Sequence, residues 1–364
     1  MTPEQSVRRC SKLIESLAEE ELDGLIVSHL PNVRYLTGFS GSAGVVAVLR
    51  EETVFLTDFR YRTQAEQEVG RTARVETVPT NVWSRLWELL GGSPREMQLG
   101  FEAHSVTMQQ AKEFSGVGLG ITLKPVAGLV ERLRVAKEPA EVVAIREAAR
   151  LAGEALESTL TQVRAGQREL DVAAALEREL RVRGSEWHPF PTIVASGHRS
   201  ALPHARTECR EIGVGDLLLL DFGAQVDGYC ADITRTVVVG RKADERQRTV
   251  YELVQLAQLK ARQGVRAGMT GCEADSLARS IIEERGFAAE FGHSLGHGLG
   301  LEVHEDPRVS KTSEDPLPAD SVVTIEPGIY ISGWGGVRIE DDVYLGAEGT
   351  EILSDGRTEL RELI

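Results

Sequence analysis

The stretch "VRAGQRELDVAAALERELRVRG", Val163 to Gly184, returns later in the chain as "VRAGMTGCEADSLARSIIEERG", Val265 to Gly286. Both copies open on Val-Arg-Ala-Gly and close on Arg-Gly, and they stand 102 residues apart. Chance can supply one four-residue match, but a second match at the same spacing makes internal duplication the better explanation. Each copy reads as a loop feeding a helix that stops at glycine, Gly184 or Gly286. The C-terminal part of the chain is therefore expected to be two related halves, each a helical segment followed by strands, with a ligand cleft between them.

The strands that follow each copy carry acids where burial is expected. In "GDLLLLDFGAQVDGYCADITRTVVVG", Asp221 follows four leucines and Asp232 lies on the returning strand. An isolated buried carboxylate is very unfavourable, so such an acid needs a partner. With the turn centred between the two aspartates they face each other; with Asp227-Gly228 at the corner they become diagonal neighbours. Either register brings both side chains out on the same face. In "SVVTIEPGIYISGWGGVRIEDDVYL", Glu326 and Glu340 flank a glycine-rich connection whose midpoint is Gly333. A second hairpin would pair these two acids as well.

Between the hairpins lies "FGHSLGHGLGLEVHE", Phe291 to Glu305. A helix would put His293 and His297 on one face. Each glycine costs a helix interior roughly 1 kcal/mol relative to alanine, so an extended strand fits better. The zinc-helix pattern H-E-x-x-H is absent, because Asp306, Pro307 and Arg308 follow His304-Glu305. Four carboxylates in one apolar cleft repel one another unless cations neutralise them. With one imidazole from His297 they form an oxygen-rich set of formal charge −4, about what two divalent ions balance. Any one of these acids alone would be read as a salt-bridge partner or a solvated strand end. Paired on strands around a glycine-flanked histidine, they read as a metal centre.

The first third alternates strands and helices as a compact α/β unit. "DGLIVS" and "QLGFEA" read as strands, and "AGVVAVLREETVFLTD" as a hairpin turning at Glu51-Glu52. The stretch Gly116 to Leu129, glycine-rich and holding Pro125, is the expected boundary, giving domains 1–128 and 129–364. The chain carries 41 Lys and Arg against 56 Asp and Glu, a formal charge of −15, which disfavours nucleic acid or an anionic membrane as partner. Its four cysteines, Cys10, Cys209, Cys230 and Cys272, are scattered and form no C-x-x-C pair, as expected of a reduced, cytoplasmic protein. The opening "MTPEQSVRRC" lacks the apolar core of a signal peptide, and no apolar run approaches the ~18 residues a membrane helix needs.

The segments "SGHRSALPHA", "LLDFGAQVDGYCADITRT", "GHSLGHGLGLEVHE", "TIEPGIY" and "GVRIEDD" resemble the Xaa-Pro peptidases of the pita-bread metallopeptidase superfamily, which includes aminopeptidase P, prolidase and methionine aminopeptidase. The N-terminal "NVRYLTGFSGSAG" and "TDFRY" resemble the compact bacterial aminopeptidase P group. The resemblance implies an α/β creatinase-like N-terminal domain followed by an α+β pita-bread domain with an internal pseudo-twofold repeat. It implies two divalent ions, Mn²⁺ first, with Co²⁺, Zn²⁺ or Fe²⁺ as alternatives, held by Asp221, Asp232, His297, Glu326 and Glu340. Asp232 and Glu340 would bridge the ions, Asp221 would complete one, and His297 and Glu326 the other. Glu326 would serve as acid and base, with His204 and His304 hydrogen-bonding the scissile carbonyl or the leaving imide. His293 would shape the substrate pocket, and Arg338 would orient the cluster or meet a substrate carboxylate. The implied reaction is Xaa-Pro aminopeptidase hydrolysis of peptides with proline second, in a homodimer. The alternatives are an Xaa-Pro dipeptidase, or prolidase, and a non-catalytic binding module on the same fold; retention of all five ligand types counts against the last.

Overall fold

A computed structural model describes residues 2–79, 81–91, 96–115, 120–354 and 356–364. The chain divides into two compact units, Met1–Arg134 and Val135–Ile364.

The first unit is built on a six-stranded sheet of β1 (Gly24–Val27), β2 (Val45–Leu49), β3 (Thr53–Asp58), β4 (Arg74–Val78), β5 (Met97–Glu102) and β6 (Ile121–Val126), in the order β4-β3-β2-β1-β5-β6. The central β1 is buried along its whole length, which its unbroken run of apolar residues after Gly24 allows. The β2–β3 corner falls at Arg50-Glu51 rather than Glu51-Glu52, because the Leu49 amide closes the ladder onto the Glu52 carbonyl at 2.9 Å. Shifting a corner by one residue moves the register by two, so every side chain keeps its face.

The expected boundary stretch holds β6 instead. Residues 116–119 of it lie outside the described residues, and Pro125 belongs to an edge strand, where a missing amide donor is tolerated. A helix, Leu129–Val135, follows, and the division between units falls after Arg134, six residues beyond the sequence-based boundary.

The second unit shows the duplication directly. The helices Glu169–Val182 and Gly271–Glu284 are both 14 residues long. Gly166 and Gly268 precede them with φ of 88° and 86°, and Gly184 and Gly286 end them with φ of 107° and 84°. Only glycine adopts that left-handed backbone without strain, which is why the repeated glycines bracket both copies. A longer helix precedes each, Pro139–Leu160 and Glu245–Gly264.

The first half's strands are β7 (Ile193–Ser196), β8 (Leu217–Phe222), β9 (Gln225–Val226), β10 (Tyr229–Cys230) and β11 (Ile233–Val239). Those of the second half are β12 (Gly296–Gly298), β13 (Glu305–Val309), β14 (Ser321–Ile325), β15 (Gly328–Ile331), β16 (Gly335–Arg338), β17 (Asp341–Gly346) and β18 (Gly349–Ile352). A last strand, β19 (Arg361–Leu363), returns to the edge of the first half's sheet, ordered β19-β11-β8-β7. The second half's sheet is ordered β13-β12-β14-β17-β18. Each half has an apolar core, one around Leu176, Val194, Leu220 and Val237, the other around Val254, Ala278, Val323 and Val343. Each fully buried leucine or valine among them contributes about 1.5–3 kcal/mol. Among the described residues no helix is long and apolar enough to cross a membrane, and the four cysteines are free thiols.

Candidate metal centre

Both hairpins break in the middle, and most of the acids lie at the breaks. In the first, Thr234 pairs with Asp221 across β8 and β11, and Tyr229 pairs with Val226 across the tip. The corner is Asp227-Gly228, with φ of 50° and 79°, so Asp221 and Asp232 are diagonal neighbours. In the second, β14–β17 and β15–β16 share one register, pairing Ile325 with Asp341 and Gly328 with Arg338. That register centres on Gly333 and brings Glu326 opposite Glu340 in the gap between the two ladders. Released from each other's backbone, the Glu326 amide donates to the Leu295 carbonyl at 2.8 Å and the Glu340 amide to the Thr234 carbonyl at 3.1 Å. The second of these bonds joins the two halves at the site.

His297 comes from the short central β12, extended as its glycines suggested. A Cβ on Gly296 would stand 1.9 Å from the Thr324 carbonyl oxygen, and one on Gly298 would stand 2.2 Å from that of Asp306. The ladder to β13 shifts register between His297 and Gly298, a bulge of the kind that re-aims side chains beside active sites. His297 Nδ1 lies 3.0 Å from the Gly298 carbonyl, which can only accept, so Nδ1 carries the proton and Nε2 keeps a free lone pair. Nε2 is 3.4 Å from Glu326 Oε1 and 3.8 Å from Asp232 Oδ2. Burial, and then the neighbouring His304, hold its pKa down to about 4, keeping the imidazole neutral as a ligand must be.

Asp232, His297 and Glu340 each offer a donor atom within 4.8 Å of the other two. Asp232 Oδ1 is buried and finds no hydrogen-bond partner among the described residues. Burial and then Glu340 push the Asp232 carboxyl well up, and burial and then Glu326 do the same to Glu340. Burial pushes Glu326 up to about 8, with Arg338 acting in the opposite sense. An orphaned carboxylate oxygen beside a neutral imidazole and mutually repelling acids is the donor set of a site for divalent cations. The residues therefore fit the implied ions.

The other sequence-identified residues surround this cluster. Arg338, buried, forms a charge-assisted bond to Asp221 and donates to Thr234 Oγ1 at 3.0 Å, the Tyr330 hydroxyl at 2.7 Å and the Pro203 carbonyl at 3.3 Å. The last contact anchors the loop that presents the exposed His204. His304, also exposed, lies with its ring centroid 4.2 Å from that of His297. Burial and then His204 lower its pKa, with Asp221 opposing.

His293 has both nitrogens engaged: Nδ1 with the Ser294 carbonyl at 2.7 Å and Nε2 with the Tyr330 hydroxyl at 2.9 Å. The carbonyl fixes the proton on Nδ1, so the Tyr330 hydroxyl donates to Nε2 while accepting from Arg338. His293 thus stands beside the cluster as a neutral, doubly hydrogen-bonded imidazole, its Nδ1 4.0 Å from Glu326 Oε2.

Sequence reasoning missed Tyr330, which links His293 to Arg338. The signal was present: with the midpoint at Gly333, Tyr330 is a diagonal neighbour of Arg338 on the same face.

A two-domain chain whose duplicated C-terminal unit gathers buried carboxylates and one neutral histidine at the repeat axis has the make-up of a metal-dependent hydrolase. Residues 143–347 match metallopeptidase family M24 and residues 9–136 match the creatinase/prolidase N-terminal domain, and the chain belongs to this family, with its pita-bread catalytic fold. It is 37% identical to the Xaa-Pro dipeptidase of Pyrococcus furiosus over 97% of this chain and 99% of that protein. The solved Xaa-Pro dipeptidase from Bacillus anthracis superposes with a TM-score of 0.92 at 38% identity, covering 98% of this chain and 99% of that one. An X-Pro aminopeptidase from Thermotoga maritima gives a TM-score of 0.88 at 35% identity, over 94% of this chain and 98% of that one.

Proposed function

We propose that this protein hydrolyses the peptide bond before proline, using divalent ions held by Asp221, Asp232, His297, Glu326 and Glu340, with Mn²⁺ as the first metal to test. The observation that carries the reading is the convergence of Asp232, His297 and Glu340, with a donor atom of each within 4.8 Å of the others and one buried Asp232 oxygen orphaned among the described residues. When bound, the ions supply Lewis acidity and lower the pKa of water.

The chain's own groups supply the rest. Glu326, at the break of the second hairpin, takes and returns the proton. His204 and His304, exposed on two loops, donate hydrogen bonds to the substrate carbonyl and the leaving nitrogen. Arg338 holds Asp221 in place, and His293 with Tyr330 walls the pocket.

Between the two substrate classes, the sequence pointed to the aminopeptidase, whereas the named relatives favour Xaa-Pro dipeptides. The aminopeptidase reading is supported by the Thermotoga maritima structure. We take the dipeptidase as the primary reading, acting in the cytoplasm as a homodimer, an assembly that light scattering would check.

The deciding experiment is product analysis with Mn²⁺ on an Xaa-Pro dipeptide and an Xaa-Pro tripeptide side by side. Cleavage confined to the dipeptide is expected. Release of the N-terminal residue from the tripeptide would make the protein an aminopeptidase, and no cleavage of either with any of several divalent metals would remove the catalytic reading.

A further inference from the structure

Two fully buried threonine hydroxyls, one from each half, bond to site glutamates. Thr234 Oγ1, on β11, lies 2.6 Å from Glu340 Oε2 and 3.0 Å from Arg338 Nε. Thr324 Oγ1, on β14, lies 3.2 Å from Glu326 Oε1 and 3.1 Å from the His297 amide nitrogen. Both threonines have no exposed surface, so bulk water does not compete for these bonds.

The partners dictate where each proton goes. A hydroxyl has one proton to give, and an arginine Nε or a peptide amide can only donate. Each threonine must therefore accept from its nitrogen partner and direct its own proton at the carboxylate. A metal-ligating carboxylate is ionised and acceptor-only, so the bond is charge-assisted. Because a β-branched side chain is stiff at χ1, the hydroxyl direction follows from the strand backbone.

We propose that Thr234 and Thr324 are positioning residues for the metal centre: each pins one oxygen of a ligand glutamate and so fixes how that carboxylate is presented to the ion. Thr234 does this across the repeat, tying Glu340 of the second half to a strand of the first. Thr324 acts within one half and also holds the His297 backbone in register with Glu326. The inference rests on the metal-centre reading above and adds to it the groups that orient two of the ligands.

A purely structural hydroxyl would affect stability alone, so the test reads metal affinity. Full-length protein is stripped with chelator and titrated with Mn²⁺ by calorimetry, and the metal-free melting temperature is recorded alongside. The variants are T234V, which keeps shape without the proton, T234S, which keeps the proton, and the same pair at Thr324. T234V is expected to weaken Mn²⁺ binding by about 10- to 100-fold, as loss of a group orienting a ligand commonly does, while T234S stays far closer to the parent. T324V should show a smaller loss, its hydroxyl contact being longer, and it carries the same contrast should T234V not fold. Valine variants that bind Mn²⁺ as tightly as their serine counterparts, whatever their melting temperatures, would overturn the proposal while leaving the metal centre intact. An unmodified protein that takes up no Mn²⁺ would overturn both.

Discussion

Arg338 is 3% exposed, yet its guanidinium meets Asp221, Thr234, Tyr330 and the Pro203 carbonyl at once. A planar fork with five donors can do this; a lysine ammonium, a single point charge, cannot. Removing one partner of a buried ion pair strands the other, typically at a cost of about 3–5 kcal/mol. R338M should therefore lower the metal-free protein's unfolding free energy by an amount of that order in urea titration. R338K should recover part of it by restoring the charge opposite Asp221. An unchanged urea midpoint for R338M would mean that the pair contributes nothing net. The candidate ligands stood out in the sequence because paired acids on apolar strands around a glycine-flanked histidine outweigh the bland explanation that each acid has alone. Thr234, Thr324 and Tyr330 were not, because a threonine or tyrosine in a strand already has one in packing, and only atomic positions reveal the second role.

The hairpins were legible to the residue in one case and to a choice of two in the other. The glycine-rich connection could centre only on Gly333 if Glu326 and Glu340 were to pair, and the observed register does so. For Asp221 and Asp232 the corner was open between two positions until the left-handed Asp227 and Gly228 decided it. The interruption of each ladder at the site could not be read, because it depends on backbone bonds to other strands, such as that from Glu340 to Thr234. The register shift beside His297 was equally hidden. Its glycines were visible but not their reason, which is contact: Gly296 lies against the Thr324 carbonyl. G296A should therefore push β12 away from β14, destabilising the protein by about 1–3 kcal/mol as overpacking does, and weaken Mn²⁺ uptake because His297 moves with the strand. Thermal unfolding and calorimetry on one preparation would check both. Wild-type values for both would show that the strand can yield without moving its ligand.

At the scale of the whole molecule, duplication places charge where neither half alone would hold it. Each half has its own apolar core, and the carboxylates it brings to the pseudo-twofold axis are unfavourable until cations join them. The repeat itself was legible from two short matches, while the domain boundary was not, since Pro125 marks an edge strand as readily as a linker. This arrangement fixes a pH dependence. Asp232, Glu326 and Glu340 all have folded-state pKa values raised chiefly by burial, Glu326 to about 8, above the ordinary carboxylate value they regain on unfolding. Between the unfolded value and the folded one, the metal-free native state binds more protons than the unfolded chain, so its stability falls as pH rises. The contribution of these groups is fully present below the unfolded pKa and is lost as pH climbs through the folded values. Metal binding runs the other way, because ions compete with those protons and bind the ionised ligands more tightly as pH increases. Metal bound only to the native state adds stability that grows with its affinity. The melting temperatures of chelated and Mn²⁺-saturated protein, measured at steps from pH 5.5 to 8.5, should therefore diverge as pH rises. Every other titrating group is common to both samples and cancels in the difference. A gap that stays constant across the series would show that these carboxylates neither hold protons in the metal-free protein nor exchange them for metal.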